Sequence, residues 1–144
     1  MTTIASRELT APSNSKAMNI GLWAAQGVLG AVFLLSSSMK LMMPVEQLQA
    51  QMGWVGGTLG PLVRFIGAVE LVGALGVILP AATRIKPWLT PLAALGFFVL
   101  MILASLTHVA RGELGMLPVT FVIGGLAAFV AWGRSRKSPI KARG

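Results

Sequence analysis

Glu70 is a carboxylate set deep in an apolar stretch that runs from Pro61 to Pro80. An ionisable group at membrane depth is expensive and is retained where it faces a bundle interior, a cavity or a partner. Two further groups approach the same half of the chain: Lys40, at the end of the first apolar segment, and His108, at the end of the third. A carboxylate beside an ammonium balances its charge while leaving donors for a ligand. A carboxylate beside an imidazole is a pairing suited to proton transfer near neutral pH.

The helix face that carries Glu70 also carries Gly67, Gly73 and Ala74, at three before and three and four after it. A face so short of bulk is one onto which a neighbouring helix closes, so the carboxylate should turn inward. Arg64 precedes Glu70 by six positions, about 120° around a helix, and is a poor local partner. That leaves Lys40 or His108. His108 shares its face with Ala104 and Ser105, but Arg111-Gly112-Glu113 follow at once, a setting that suits headgroup water equally well. The candidate pocket residues are therefore Lys40, Glu70, His108, Arg111 and Arg64. They form either one buried site or scattered interfacial charges, and a Glu70–Lys40 pair that merely locks two helices is a third possibility.

Other chemistry has no foothold. The chain has no cysteine, which removes thiol redox chemistry, disulfides and thiolate metal clusters. No phosphate-binding loop, paired metal-binding histidines, nucleophile elbow or dinucleotide fingerprint occurs. No residue is assigned a catalytic role and no metal is expected.

Four windows position these groups: Asn19 to Met39, Leu62 to Leu79, Trp88 to Thr107 and Leu117 to Trp132. Each approaches or reaches the roughly 17 to 25 apolar residues that cross a bilayer. In 144 residues, 55% of them hydrophobic, little remains for a soluble domain. The expected fold is all-α, a polytopic four-helix membrane bundle over residues 18–133, with a disordered tail over 1–17 and a basic tail over 134–144.

Between the first two windows Val45, Leu48 and Met52 fall at helical spacing after Pro44, with Trp54 and four glycines behind. This predicts a short interfacial helix, acting as a lid over the outer end of the bundle or simply as a connector. Pro80, Pro87 and Pro91 mark a short turn between antiparallel second and third helices. Ala24, Gly27, Ala31 and Ser38 in the first helix, and Gly124, Gly125 and Ala128 in the fourth, are expected to be close-contact faces.

Charge sets the orientation. Arg7, Lys16, Arg84, Lys86, Arg134, Arg136, Lys137, Lys141 and Arg143 fall at one end of the spans, against Lys40, Arg64 and Arg111 at the other. The nine-to-three bias predicts both termini in the cytoplasm. Trp88 and Trp132 fall near the same boundary, as interfacial anchors do. The net charge of +8 is thus spread around helix ends rather than along a soluble face, and nucleic acid is not an expected partner. In a rival account the first window is a secretory signal cleaved near Ser36-Ser37-Ser38, although the apolar run is slightly long for one and three more spans follow.

Three stretches resemble the DoxX-like family of small four-helix membrane proteins: Phe33-Leu34-Leu35-Ser36-Ser37-Ser38-Met39-Lys40-Leu41, Glu70 to Pro80 with its Glu-Leu-Val-Gly-Ala-Leu core, and His108 to Glu113. Family members often carry glycine three residues before the lysine, where this chain has Ser37. The resemblance implies a four-helix bundle in the plasma (inner) membrane and a link to membrane oxidoreductase or quinone-associated systems. No intrinsic cofactor is expected, and a quinone is the group the resemblance suggests, its carbonyl oxygens accepting from Lys40 or His108. The expected partners are the lipid bilayer, oxidoreductase subunits and further copies of this chain in a homo-oligomer. Two other functions compete: an intramembrane enzyme using Glu70 and His108 as acid and base on a lipophilic substrate, and a small proton-coupled transporter working through Glu70.

Overall fold

The structure, a computed structural model, describes residues 2–144, with residues 2–15 described by backbone alone. Most of the disordered tail expected over residues 1–17 thus lies outside the described side chains. Five α-helices follow in order: α1 (Thr2–Met42), α2 (Val45–Met52), α3 (Gly60–Thr83), α4 (Leu89–Ala110) and α5 (Leu117–Trp132). Four segments are long and apolar enough to cross a membrane: Lys16–Met42, Gly60–Thr83, Leu89–Ala110 and Leu114–Lys137. Each contains the corresponding window read from the sequence, apart from Trp88, which sits one residue before α4.

These helices are apolar on nearly every side, so their outward faces carry bulk as well. Leu35, Phe65, Val72, Leu106 and Phe121 all point away from the bundle. In water this would be a fault; in lipid it is the surface the solvent requires, because only the backbone must satisfy itself internally. α1 packs chiefly on α3 and α4 on α5, while α3 meets α4 and α1 meets α5. The result is a closed ring of four helices.

The core runs along the middle of that ring through Leu22, Leu29, Phe33, Val77, Phe97 and Val130. At its centre the rings of Phe33 and Phe97 stack 3.7 Å apart with 6° between their planes. Gly73 makes room for this: a Cβ there would lie 2.6 Å from the Phe97 ring. Inside α3, Pro80 has no N–H to give to the carbonyl of Gly76, four residues earlier. The buried Thr90 hydroxyl of α4 donates to that oxygen instead, at 3.3 Å.

The small-residue stripe expected to be the packing face of the first helix points outward at three of its four positions, Ala24, Gly27 and Ala31. Nothing lies within 4 Å of the Cβ position of Gly27. The buried face is instead Leu22, Ala25, Leu29, Gly30 and Phe33, with Gly30 against Ile78. Small residues favour close helix contact but are also tolerated facing lipid, so a stripe of them does not by itself fix the inner face. In α5, Gly124 does pack, against Met101, while Gly125 faces open space.

α2 starts after Pro44 and stops at Gly53, whose φ of +62° is one that glycine adopts freely. Leu48 of α2, Val55 and Val63 of α3 are fully buried together in a small second core. The short helix is therefore packed onto the first turns of α3 rather than hung between two spans.

Candidate functional site

Lys40 and Ser36 lie one turn apart on α1, so their side chains leave the same face. Glu70 meets them from α3. The Lys40 ammonium lies 2.7 Å from Glu70 Oε1 and donates to Ser36 Oγ at 2.7 Å. Ser36 Oγ donates in turn to Glu70 Oε2 at 2.9 Å. Each group serves the other two, and both carboxylate oxygens are engaged. The Lys40 and Glu70 side chains are 11% and 4% exposed. At that depth the attraction between the charges must offset several kcal/mol of desolvation per ion, which it does only when the remaining hydrogen-bonding capacity is also satisfied. Ser36 supplies part of that by accepting from Lys40 and donating to Glu70, and one ammonium N–H is left over.

Two glycines allow this approach. A Cβ at Gly67 would lie 2.8 Å from Lys40 Cβ and 3.2 Å from Leu41 Cγ, so α1 rests against α3 here with no side chain between them. Gly73, one turn beyond Glu70, admits Phe97. The stacked Phe33 and Phe97 rings therefore form an apolar floor one turn from Ser36 and Glu70.

Arg64 makes a roof rather than a second counter-ion. Its guanidinium donates to the main-chain carbonyls of Lys40 and, at 2.7 Å, Met43. These oxygens belong to the last turn of α1 and just beyond it, where the helix leaves carbonyls without intrahelical donors and its dipole favours a cation.

His108 and Arg111 form a separate group around Glu113. His108 Nδ1 shares a hydrogen bond with Glu113 Oε2 at 2.8 Å, and Arg111 Nε donates to Glu113 Oε1 at 2.9 Å. These two bonds, that from His108 foremost, hold the Glu113 carboxyl below the usual glutamate range. Arg111 also leans toward the end of α2, where a Cβ at Gly53 would meet its guanidinium at 2.8 Å. No hydrogen bond or ion pair joins this group to Glu70 among the described residues. Of the five candidates, the structure brings Lys40 and Glu70 together, sets Arg64 over them, and gathers His108 and Arg111 elsewhere. Among the described residues no cluster of histidine, aspartate and glutamate is placed to hold a metal.

Two features escaped the sequence argument. Ser36 is part of the site, and its position four residues before Lys40 was the available signal. At the opposite end Gln26, Asn19 and Arg134 form a second buried polar knot: Arg134 Nε donates to Gln26 Oε1 at 2.6 Å and a terminal nitrogen to Asn19 Oδ1 at 2.7 Å. Gln26 donates onward to the Val77 carbonyl of α3 at 2.7 Å. Arg134, counted from the sequence with the basic tail, is 3% exposed.

A groove of about 530 Å³ lies between α4 and α5, lined by Phe98, Met101, Leu106, Phe121 and Gly124 with Ser105 and Thr120. The two hydroxyls bond to each other at 2.7 Å, so its lining is almost wholly apolar. It does not include Glu70.

No curated protein and no solved structure matches the chain. A model of the DoxX-like family does match, over residues 24–130, which takes in Ser36, Lys40, Glu70 and His108. The chain is an integral membrane protein of four apolar spans and belongs to the DoxX-like family.

Proposed function

We propose that this chain is a membrane subunit or accessory of an oxidoreductase or quinone-linked system, and that Ser36, Lys40 and Glu70 form its ligand-orienting site. The observation that carries the proposal is the state of Lys40. Its ammonium has three donors; two are engaged by Glu70 and Ser36, which leaves one N–H, on a side chain that is 11% exposed as a whole. Glu70 neutralises it locally, so the remaining N–H can serve a neutral acceptor without an unbalanced charge in lipid. A ketone or quinone oxygen is such an acceptor.

A bound quinone would supply two-electron chemistry that no side chain of this cysteine-free protein provides. The chain's own contribution is to bind and orient: Lys40 donates, Glu70 and Ser36 hold the ammonium in one place, and Arg64 fixes the end of α1 above them. Glu70 is fully engaged by Lys40 and Ser36, and His108 by Glu113. This pairing gives no support to an acid and base couple made from Glu70 and His108. Plasma-membrane placement with both termini in the cytoplasm belongs to the same proposal and rests on the nine-to-three distribution of basic residues.

Purification from native membrane, with identification of co-isolated proteins and lipophilic molecules, tests the proposal. Oxidoreductase subunits and a quinone should accompany the wild-type protein, and Lys40→Met should lose the small molecule. Isolation of the bundle alone, with no ligand and no partner, would leave Lys40–Glu70 a helix lock.

A further inference from the structure

At the end of the bundle away from Glu70, a buried guanidinium forms no ion pair with a carboxylate among the described residues. Arg134 follows α5 in the π-helical turn Gly133–Lys137. It spends Nε on Gln26, and one terminal nitrogen on Asn19 and, at 3.2 Å, on the Ser138 carbonyl. All three acceptors are neutral. Its other terminal nitrogen is buried without a hydrogen-bond partner among the described residues. The Trp23 ring lies 5.3 Å from the guanidinium carbon, which offsets part of the charge but offers no acceptor to that nitrogen. A buried cation left in this state is costly unless an anion completes it.

The surroundings are charged to deliver one. Lys16, Arg84, Lys86, Arg136, Lys137, Lys141 and Arg143 are all exposed at this end. The Arg143 amide donates to the Arg84 carbonyl at 2.8 Å, drawing the basic C-terminal segment across the α3–α4 turn. The acidic residues with described side chains, Glu46, Glu70 and Glu113, belong to the other half of the molecule. Trp88 and Trp132 are exposed here as well, and Lys137 lies 5.5 Å from the Trp132 ring. Amphipathic rings of this kind sit at headgroup level, so the anion in reach is a phosphate.

We propose that Arg134 is a specific seat for a phosphate oxyanion, that of an anionic phospholipid headgroup. One phosphate oxygen takes the unused terminal nitrogen. A second replaces the Ser138 carbonyl, the longest of the three hydrogen bonds that the Arg134 side chain makes. Together they give the two-pronged geometry in which arginine binds phosphate best. The exposed cations raise the local concentration of anionic lipid, and Arg134 confers the site's specificity.

Native mass spectrometry and thermal melting of the full chain in nanodiscs test this, with phosphatidylglycerol, phosphatidylcholine, or phosphatidylcholine plus inorganic phosphate. Wild type should retain one phosphatidylglycerol and melt higher in it. Arg134→Lys, which keeps the charge and loses the fork, should weaken retention by about tenfold, the worth of one charge-assisted hydrogen bond. Arg136→Gln with Lys137→Gln should weaken all anionic lipids modestly and keep the one-lipid stoichiometry. Asn19→Ala frees a donor of Arg134 and should widen the gap between phosphatidylglycerol and phosphatidylcholine, whereas a purely structural knot would lose equally in both. If Arg134→Lys does not fold, crosslinking of a photoreactive phosphatidylglycerol to the wild type decides, with labelling expected around Trp23 and Ser138. Stabilisation by inorganic phosphate equal to that by phosphatidylglycerol would overturn the lipid source. Equal melting under all three conditions, with labelling spread evenly over the helix ends, would overturn the site.

Discussion

The stem of Lys40 lies against Gly67: a Cβ at position 67 would come within 2.8 Å of Lys40 Cβ. The ion pair with Glu70, one turn further along α3, depends on that close approach.

Gly67→Val should therefore push α1 off α3 and lengthen the Lys40–Glu70 bond, with a loss of about 1 to 3 kcal/mol typical of overpacking. Gly96→Ala serves as the control, because nothing lies within 4 Å of its Cβ position. Melting of both variants in detergent checks the contrast, and equal stability would mean the helices are not in register here.

Removing one partner of the pair should cost more than removing both. Glu70→Leu strands the Lys40 ammonium, and a loss of about 3 to 5 kcal/mol is expected for breaking a buried pair in this way. Lys40→Met combined with Glu70→Leu should restore most of it. A double-mutant cycle on denaturation free energies measures the difference, and strict additivity would show that the two side chains do not interact.

Phe97→Ala removes one ring of the stack with Phe33 and opens a cavity over Gly73. About 3 to 5 kcal/mol is the usual loss for such a deletion in a core. Adding Gly73→Ala to Phe97→Ala should recover part of it by refilling the space. The same Gly73→Ala change made alone should destabilise. Opposite signs for one substitution in two backgrounds, read by thermal melting, are the outcome to look for.

Glu113 gives a pH dependence of known sign. Its folded-state pKa is held below the usual glutamate value by His108 and Arg111, so its contribution is present above that usual value and is lost as pH falls through the depressed one. Amide exchange in the segment Arg111–Met116 should accelerate under acid conditions below the ordinary glutamate range, and Glu113→Gln should abolish the dependence.

The four spans were readable because the bilayer imposes a length and a composition that few other environments demand. The inward turn of Glu70 was readable too, from Gly67 and Gly73 on its flanks. Which cation would answer it was not, since spacing within a helix carries no information about which neighbour packs where. Lys40 came close because Gly67 admits its stem. His108 instead found Glu113 five residues on, a local partner that needs no tertiary contact. The outward-facing Ala24, Gly27 and Ala31 failed as a guide because lipid applies no pressure against small residues. Arg134 escaped because a basic residue after a span ordinarily counts as solvated, and the acceptors that draw it in, Asn19 and Gln26, lie over a hundred residues away.

Both polar knots hold the same helix. Ser36 and Lys40 fasten α1 to α3 near one end, and Gln26 fastens it to α3 and to the turn after α5 near the other. Gln26 and Lys40 are separated by about 21 Å of helix at 1.5 Å per residue. A rod bolted at two such points can neither slide along its neighbours nor roll against them without breaking bonds to charged groups at both places. Among the described residues α4 is tied to its neighbouring spans by neutral hydroxyl contacts and apolar packing, its His108 pairing with Glu113 just beyond its own end, so any breathing of the ring, to admit a guest or to dock a companion, starts at that wall while α1 stays put.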